Sequence, residues 1–166
     1  MAVADLNGDG RLDLTIGNNN ARPTIYLNTV THTGNWIELK LVGTRSNRDA
    51  IGARIRLSVV GKTMTRIVEA GSGYASESMF PVHFGLGRSS RVEGVEIAWP
   101  SGLVQRFTGQ ELSGKINQQF IIQEGQQRLD VAATLWRAKQ TAARDIRENR
   151  AATVVKYATH PALISR

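Results

Sequence analysis

Between residues 35 and 124 the apolar positions fall on every second residue. Ile37, Leu39 and Leu41 alternate with Glu38 and Lys40, and Ile55, Leu57 and Val59 alternate with Arg54, Arg56 and Ser58. Phe80, Val82, Phe84 and Leu86 keep the same period, as do Val95, Ile97 and Trp99. In an extended chain this period puts apolar side chains on one face and charged ones on the other, so each run reads as a strand with one face to a core and one to water. Turn residues separate the runs: Gly61-Lys62, Gly71-Ser72-Gly73, Gly85 to Gly87, and Pro100-Ser101-Gly102. About seven short strands follow, closing with Phe120 and Ile122, and the expected architecture is mainly β, a sandwich or a closely related fold.

The flanks break the pattern and divide the chain into three zones. Residues 1–30 hold an acidic Gly/Asn loop and then a short strand pattern at Thr24–Leu27. Residues 31–125 are the β zone. From Gln126 to Arg166 glycine disappears and Ala, Arg and Gln dominate. Gln127–Ala152 is rich in helix formers, with a loose apolar stripe of Leu129, Ala132, Ala133, Trp136, Ala143 and Ile146 that Gln140 interrupts. The basic tail over 126–166 is expected to be a surface helix, a partly frayed or disordered extension, or a helical linker, marginal without packing, with Pro161 stopping any helix.

Composition narrows the function. No cysteine occurs, which excludes disulfides, thiolate metal sites and a cysteine nucleophile. No apolar run approaches the roughly 20 residues needed to span a bilayer. Met1–Asp5 lacks the basic and apolar segments of a signal peptide, and a motif starting as early as Asp5 reads as a chain that begins inside a larger protein. The net charge of +7 is concentrated in the tail, where residues 126–166 carry eight basic and three acidic side chains. The first 125 residues are close to neutral, so no nucleic-acid partner is expected, and any polyanion affinity would belong to the tail.

The sharpest chemical signal is Asp5-Leu6-Asn7-Gly8-Asp9-Gly10-Arg11-Leu12-Asp13. Side-chain oxygens fall at the first, third, fifth and ninth positions of the loop, glycine at the sixth, and the carbonyl of Arg11 is available at the seventh. A hard cation of the Ca2+ type takes six to eight oxygens, and alternate positions on a tight loop can turn theirs inward. Asp5, Asn7, Asp9, Arg11 (through its carbonyl) and Asp13 are therefore the expected metal ligands. The site is not a helix-flanked EF-hand: position 12 is Ile16 rather than Glu, and Leu12, Leu14 and Ile16 alternate as a strand. The competing reading is a hydrogen-bonded Asx turn without metal.

Other chemistry is sparse. His32, His83 and His160 have no metal-type spacing, and His83 reads as a surface histidine. Gly71-Ser72-Gly73 is neither a nucleophile elbow nor a Walker loop. Glu93 and Glu96 read as a solvated strand face rather than a glycosidase pair. Trp36 and Trp99 read as packing residues, with Trp36, Tyr74 or Trp99 as the alternative platform of a carbohydrate-binding module. Arg45, Arg48 and Asp49 sit in a polar turn that is either a binding loop or an anchored connection. No convergent acid, base and nucleophile set emerges, so no catalytic residues are expected and the chain reads as a non-enzyme.

These motifs carry a family resemblance. Asp5–Gly17 with Thr24–Asn28 resembles the last FG-GAP/VCBS-type repeat of an integrin-like β-propeller. Leu41–Ala53, Gly71–Tyr74, His83–Gly87 and Val95–Gly102 resemble the ASPIC/UnbV domain. The resemblance implies a propeller-blade remnant over 1–30, a β-sandwich-like ASPIC/UnbV domain over 31–125 and an appended tail over 126–166. It also implies calcium at the five loop positions named above, and an extracellular, periplasmic or cell-surface setting serving adhesion or matrix interaction. The implied partners are an unidentified protein or glycan outside the cell and the missing propeller blades of the parent chain.

Overall fold

The computed structural model describes residues 1–31, 34–71, 76–78, 81–132 and the backbone of 153–157, and among these it contains twelve strands and no helix. The described residues fall into two compact units, one holding residues 1–31, 71, 76–78 and 153–157 and the other residues 34–70 and 81–132.

In the first unit β1 (Ala2–Ala4), β2 (Asp13–Ile16) and β3 (Thr24–Asn28) form an antiparallel run. The strand β12 (Thr153–Tyr157) lies on the far side of β3 and parallel to it, with Thr153 opposite Thr24. Ile25 and Leu27 are buried on one face of β3. The register pairs Ala4 with Asp13, so the acidic loop closes a hairpin between β1 and β2 and its two ends meet.

The second unit is a two-sheet sandwich. One sheet has the order β11-β10-β4-β7, made from Asp130–Val131, Gln118–Gln123, Asn35–Val42 and Val82–Gly87. The other has the order β6-β5-β8-β9, made from Lys62–Ile67, Arg54–Val59, Val92–Ala98 and Val104–Thr108. All pairings are antiparallel except β10 on β4, which is parallel. Both sheets contribute to one core, with Ile37, Leu39, Phe84, Phe120 and Ile122 from one and Ile55, Leu57, Ile97 and Phe107 from the other. Burying each such side chain contributes about 1.5–3 kcal/mol, set against the entropy of ordering it.

The alternation expected for β4, β5 and β8 therefore holds on the inner face. It fails at Glu38, which the pattern assigns to water but which is 1% exposed. Glu38 lies on a central strand, and Gln119, its register partner on β10, donates to Glu38 Oε2 at 3.0 Å. A polar partner across the ladder makes burial of that carboxylate tolerable. The turn expected at Gly85 to Gly87 is instead the end of β7. Gly87 itself takes φ of +60°, and the space is needed at Gly34, where a Cβ would stand 2.5 Å from the Gly87 carbonyl oxygen.

The expected helical tail is corrected where the chain is described. Asp130–Val131 pair with Phe120 and Ile121 as an edge strand, and Thr153–Tyr157 form a strand rather than the tail of a helix. Residues 133–152, which carry most of the expected helix, lie outside the described residues. No helix among the described residues is long and apolar enough to cross a membrane.

Candidate metal centre

The Asp5–Asp13 loop is shaped by its own acidic side chains. Gly8 and Gly10 take φ of +74° and +84°, the left-handed region where a side chain is strained. The bends turn successive N–H groups onto Asp5: Oδ1 accepts from Gly8 at 2.6 Å and Asp9 at 3.1 Å, and Oδ2 accepts from Gly10 at 3.0 Å. Asn7 Oδ1 accepts from the Asp9 N–H at 3.0 Å, and Asp9 Oδ1 from the Arg11 N–H at 2.9 Å, two Asx turns in succession. Asp13 ties the loop to its flanks, accepting from the Leu6 N–H at 3.0 Å and the Asn28 N–H at 2.8 Å.

Asp5 and Asp13 are both 2% exposed. Burial raises the Asp13 pKa; the N–H groups of Asn28 and Leu6 pull it back, and the charges of Asp9 and Asp5 push it up again, for a net rise. All five predicted ligands thus lie on one short hairpin loop, with three carboxylates near enough to repel. In donor chemistry the loop suits calcium, because every side-chain donor is a hard oxygen and a cation would relieve the repulsion. The side chains are not, however, drawn together as a ready-made shell: among the described residues no three acidic or imidazole groups converge as metal ligands. Asp9 Oδ2 accepts from Asn7 Nδ2 at 2.7 Å and forms an ion pair with the Arg11 guanidinium. Arg11 was expected to act only through its carbonyl, and this use of its side chain had no signal in the spacing.

A second carboxylate site, in the sandwich, was not read from the sequence. Glu124 Oε2 accepts the consecutive N–H groups of Thr44, Arg45 and Ser46 at 2.8, 2.7 and 2.8 Å. Oε1 accepts the Ser46 and Ser101 hydroxyls at 2.9 and 2.5 Å. Burial by itself would raise its pKa, but the Ser101 hydroxyl and the backbone of Ser46, Thr44 and Arg45 hold it down at about 2. Three amides turned to one anion form a backbone nest. Gly43 makes the turn possible, since a Cβ there would meet the Asn47 carbonyl oxygen at 2.1 Å. The polar turn at Arg45–Asp49 is thus an anchored connection, and its anchor lies too far along the chain to be legible locally.

The aromatic candidates separate. Trp99 is 3% exposed, with its indole N–H donated to Gln105 Oε1 at 3.0 Å, so it packs and offers no platform. Trp36 stacks on His83 with ring centroids 5.9 Å apart, which makes His83 a packing partner rather than a free surface histidine. Glu96 is flanked on the outer face of its sheet by Arg106 at 2.9 Å and Arg56 at 3.9 Å, as a solvated face would have it. His32, Tyr74 and His160 lie outside the described residues.

Comparison with known proteins places this arrangement. Residues 43–129 match the family described as ASPIC and UnbV, and residues 1–35 match the FG-GAP repeat. The chain belongs to the ASPIC and UnbV family. Its relatives include Cartilage acidic protein 1 of Mus musculus, 35% identical over 114 residues, which are 66% of this chain and 17% of the relative. The Homo sapiens protein of the same name is 35% identical over 120 residues, covering 69% of this chain and 17% of the relative. The Xenopus tropicalis protein is 33% identical over 120 residues, covering 70% and 18%. This ASPIC/UnbV chain therefore spans less than a fifth of the length of the curated relatives it matches. No solved structure matches it. No enzyme family is among the matches.

Proposed function

We propose that this chain is a non-enzymatic, calcium-binding β module of a secreted or cell-surface protein, serving adhesion or matrix interaction. The observation that carries the reading is the Asp5–Asp13 hairpin loop, in which two buried carboxylates and a third nearby share one tight turn within an FG-GAP match. Calcium would be held by Asp5, Asn7, Asp9 and Asp13 and the Arg11 carbonyl, and would pin the β1–β2 hairpin by neutralising the repulsion felt at Asp13. The relatives' name, which refers to cartilage, supports an extracellular matrix setting for the parent protein. The sandwich would then present the partner-binding surface, with its turns anchored by Glu124.

Thermal unfolding in millimolar calcium and in chelator, for the wild-type chain and Asp9→Ala, tests the reading. A ligand at about 100 times its Kd stabilises the native state by roughly 2.7 kcal/mol. A calcium-dependent rise in Tm that is lost in Asp9→Ala is expected. Equal melting of the wild type in both buffers would remove calcium from the proposal.

A further inference from the structure

The N-terminal loop carries three acidic side chains and a single basic one. Between Asp5 and Asp13 the only cationic residue is Arg11. Its guanidinium pairs with Asp9 Oδ2, and its Nε donates to the Asn28 carbonyl at 2.7 Å. The Asn28 N–H donates in turn to Asp13 Oδ1 at 2.8 Å. Arg11 thus links the middle carboxylate of the loop to the end of β3, which holds the last carboxylate.

This is not a solvated surface pair. The Arg11 and Asp9 side chains are 25% and 23% exposed, so the guanidinium lies along the loop with its charge only partly screened. The position needs only its backbone carbonyl for a metal, and a side chain there is free to point into water. Arg11 instead folds back onto a carboxylate that calcium would need. Asp9 cannot turn its oxygens fully to a metal ion while one of them is engaged by the guanidinium. One tethered cation and one diffusible cation then compete for the same oxygen.

We propose that Arg11 is a built-in competitor for calcium: it holds the loop closed when calcium is scarce and lowers calcium affinity by occupying Asp9. This rests on the calcium reading above. Two properties follow. The loop is less dependent on metal for its fold than three unneutralised carboxylates would be, and its calcium affinity is set by how readily Arg11 lets go.

The test is isothermal titration calorimetry with calcium chloride, together with melting in chelator, on the full chain and two variants. Arg11→Met removes the charge while keeping an apolar stem; Arg11→Lys keeps the charge. Arg11→Met is expected to bind calcium about two- to fivefold more tightly, the range for losing one partly exposed ion pair. It is also expected to melt lower than wild type in chelator and alike in saturating calcium, while Arg11→Lys stays near the wild-type affinity. Calcium binding of equal or weaker affinity in Arg11→Met, or an Arg11→Lys variant that binds as tightly as Arg11→Met, would overturn the inference while leaving the calcium reading intact. No calcium binding by any of the three would overturn both, and the chelator melts would still show whether Arg11 closes the loop.

Discussion

Ser46 and Glu124 meet twice: the Ser46 N–H reaches Glu124 Oε2 at 2.8 Å, and the Ser46 hydroxyl reaches Oε1 at 2.9 Å. With Ser101 on the same carboxylate, one side chain fastens two turns of the sandwich to the end of β10. Glu124→Ala leaves three amides and two hydroxyls without their acceptor and is expected to cost about 2–4 kcal/mol in chemical denaturation. Formate or acetate at high concentration should recover part of that loss, because the backbone nest remains. Sodium chloride at matched ionic strength serves as the control; equal effects of all three salts would show that the nest is not an anion seat.

The same carboxylate sets an acid limit. Its folded pKa of about 2 lies below the ordinary 4.5, so its contribution is fully present above pH 4.5 and is lost as pH falls towards 2. The stability gap between wild type and Glu124→Gln should therefore be constant above pH 5 and close progressively below 4.5. Urea midpoints across pH 2.5–7 measure it. A gap that stays constant to pH 2.5 would contradict the assignment.

Asp13 has the opposite sign. Its pKa is raised by burial and by the charges of Asp9 and Asp5, so stability tied to its protonated form is present below 3.8 and lost as pH rises through the folded value. In chelator, Asp13 makes the loop less stable above its raised pKa than below it; bound calcium would cancel that penalty. The calcium-induced rise in Tm should shrink as pH is lowered through the raised Asp13 pKa, and the shrinkage should be smaller in Asp13→Asn.

Gly10 holds φ at +84°, where an L side chain costs about 1–2 kcal/mol. Gly10→Ala should lower Tm measurably in chelator. Gly17→Ala, at a position with open space around it, should not do so to the same extent.

In the core, Phe120 is fully buried on the strand between β4 and β11. Phe120→Ala should cost about 3–5 kcal/mol, whereas Val104→Ala on an exposed edge position should stay within about 0.5 kcal/mol. Denaturant midpoints of the two variants give the comparison directly.

The legible parts of this protein are those whose cause is local. Ile55, Leu57 and Val59 declare their strand because each inward side chain is two residues from the next, and the acidic loop declares itself because Asp5, Asn7, Asp9 and Asp13 are spaced as oxygens on one turn must be. What was missed depends on residues distant in sequence. Glu38 is charged at an outward position yet buried, because Gln119 comes alongside from another strand. Glu124 looks like an ordinary carboxylate at a strand end, and only folding brings it under Thr44–Ser46. Asp130–Val131 has the composition of a helix start, but the open edge of β10 takes it as a strand.

The parallel contact of β4 with β10 governs the order in which the sandwich can be made. Gln118–Gln123 lies along Ile37–Val42, so the strand that opens the module is completed by one of the last to leave the ribosome. Pairings of this span are slow to form, since the chain between them must be organised first. Until Gln123 has emerged, β4 keeps one edge bare and the Glu124 anchor is absent. The nascent module is therefore held open, and prone to pairing with other strands, until its synthesis is nearly done.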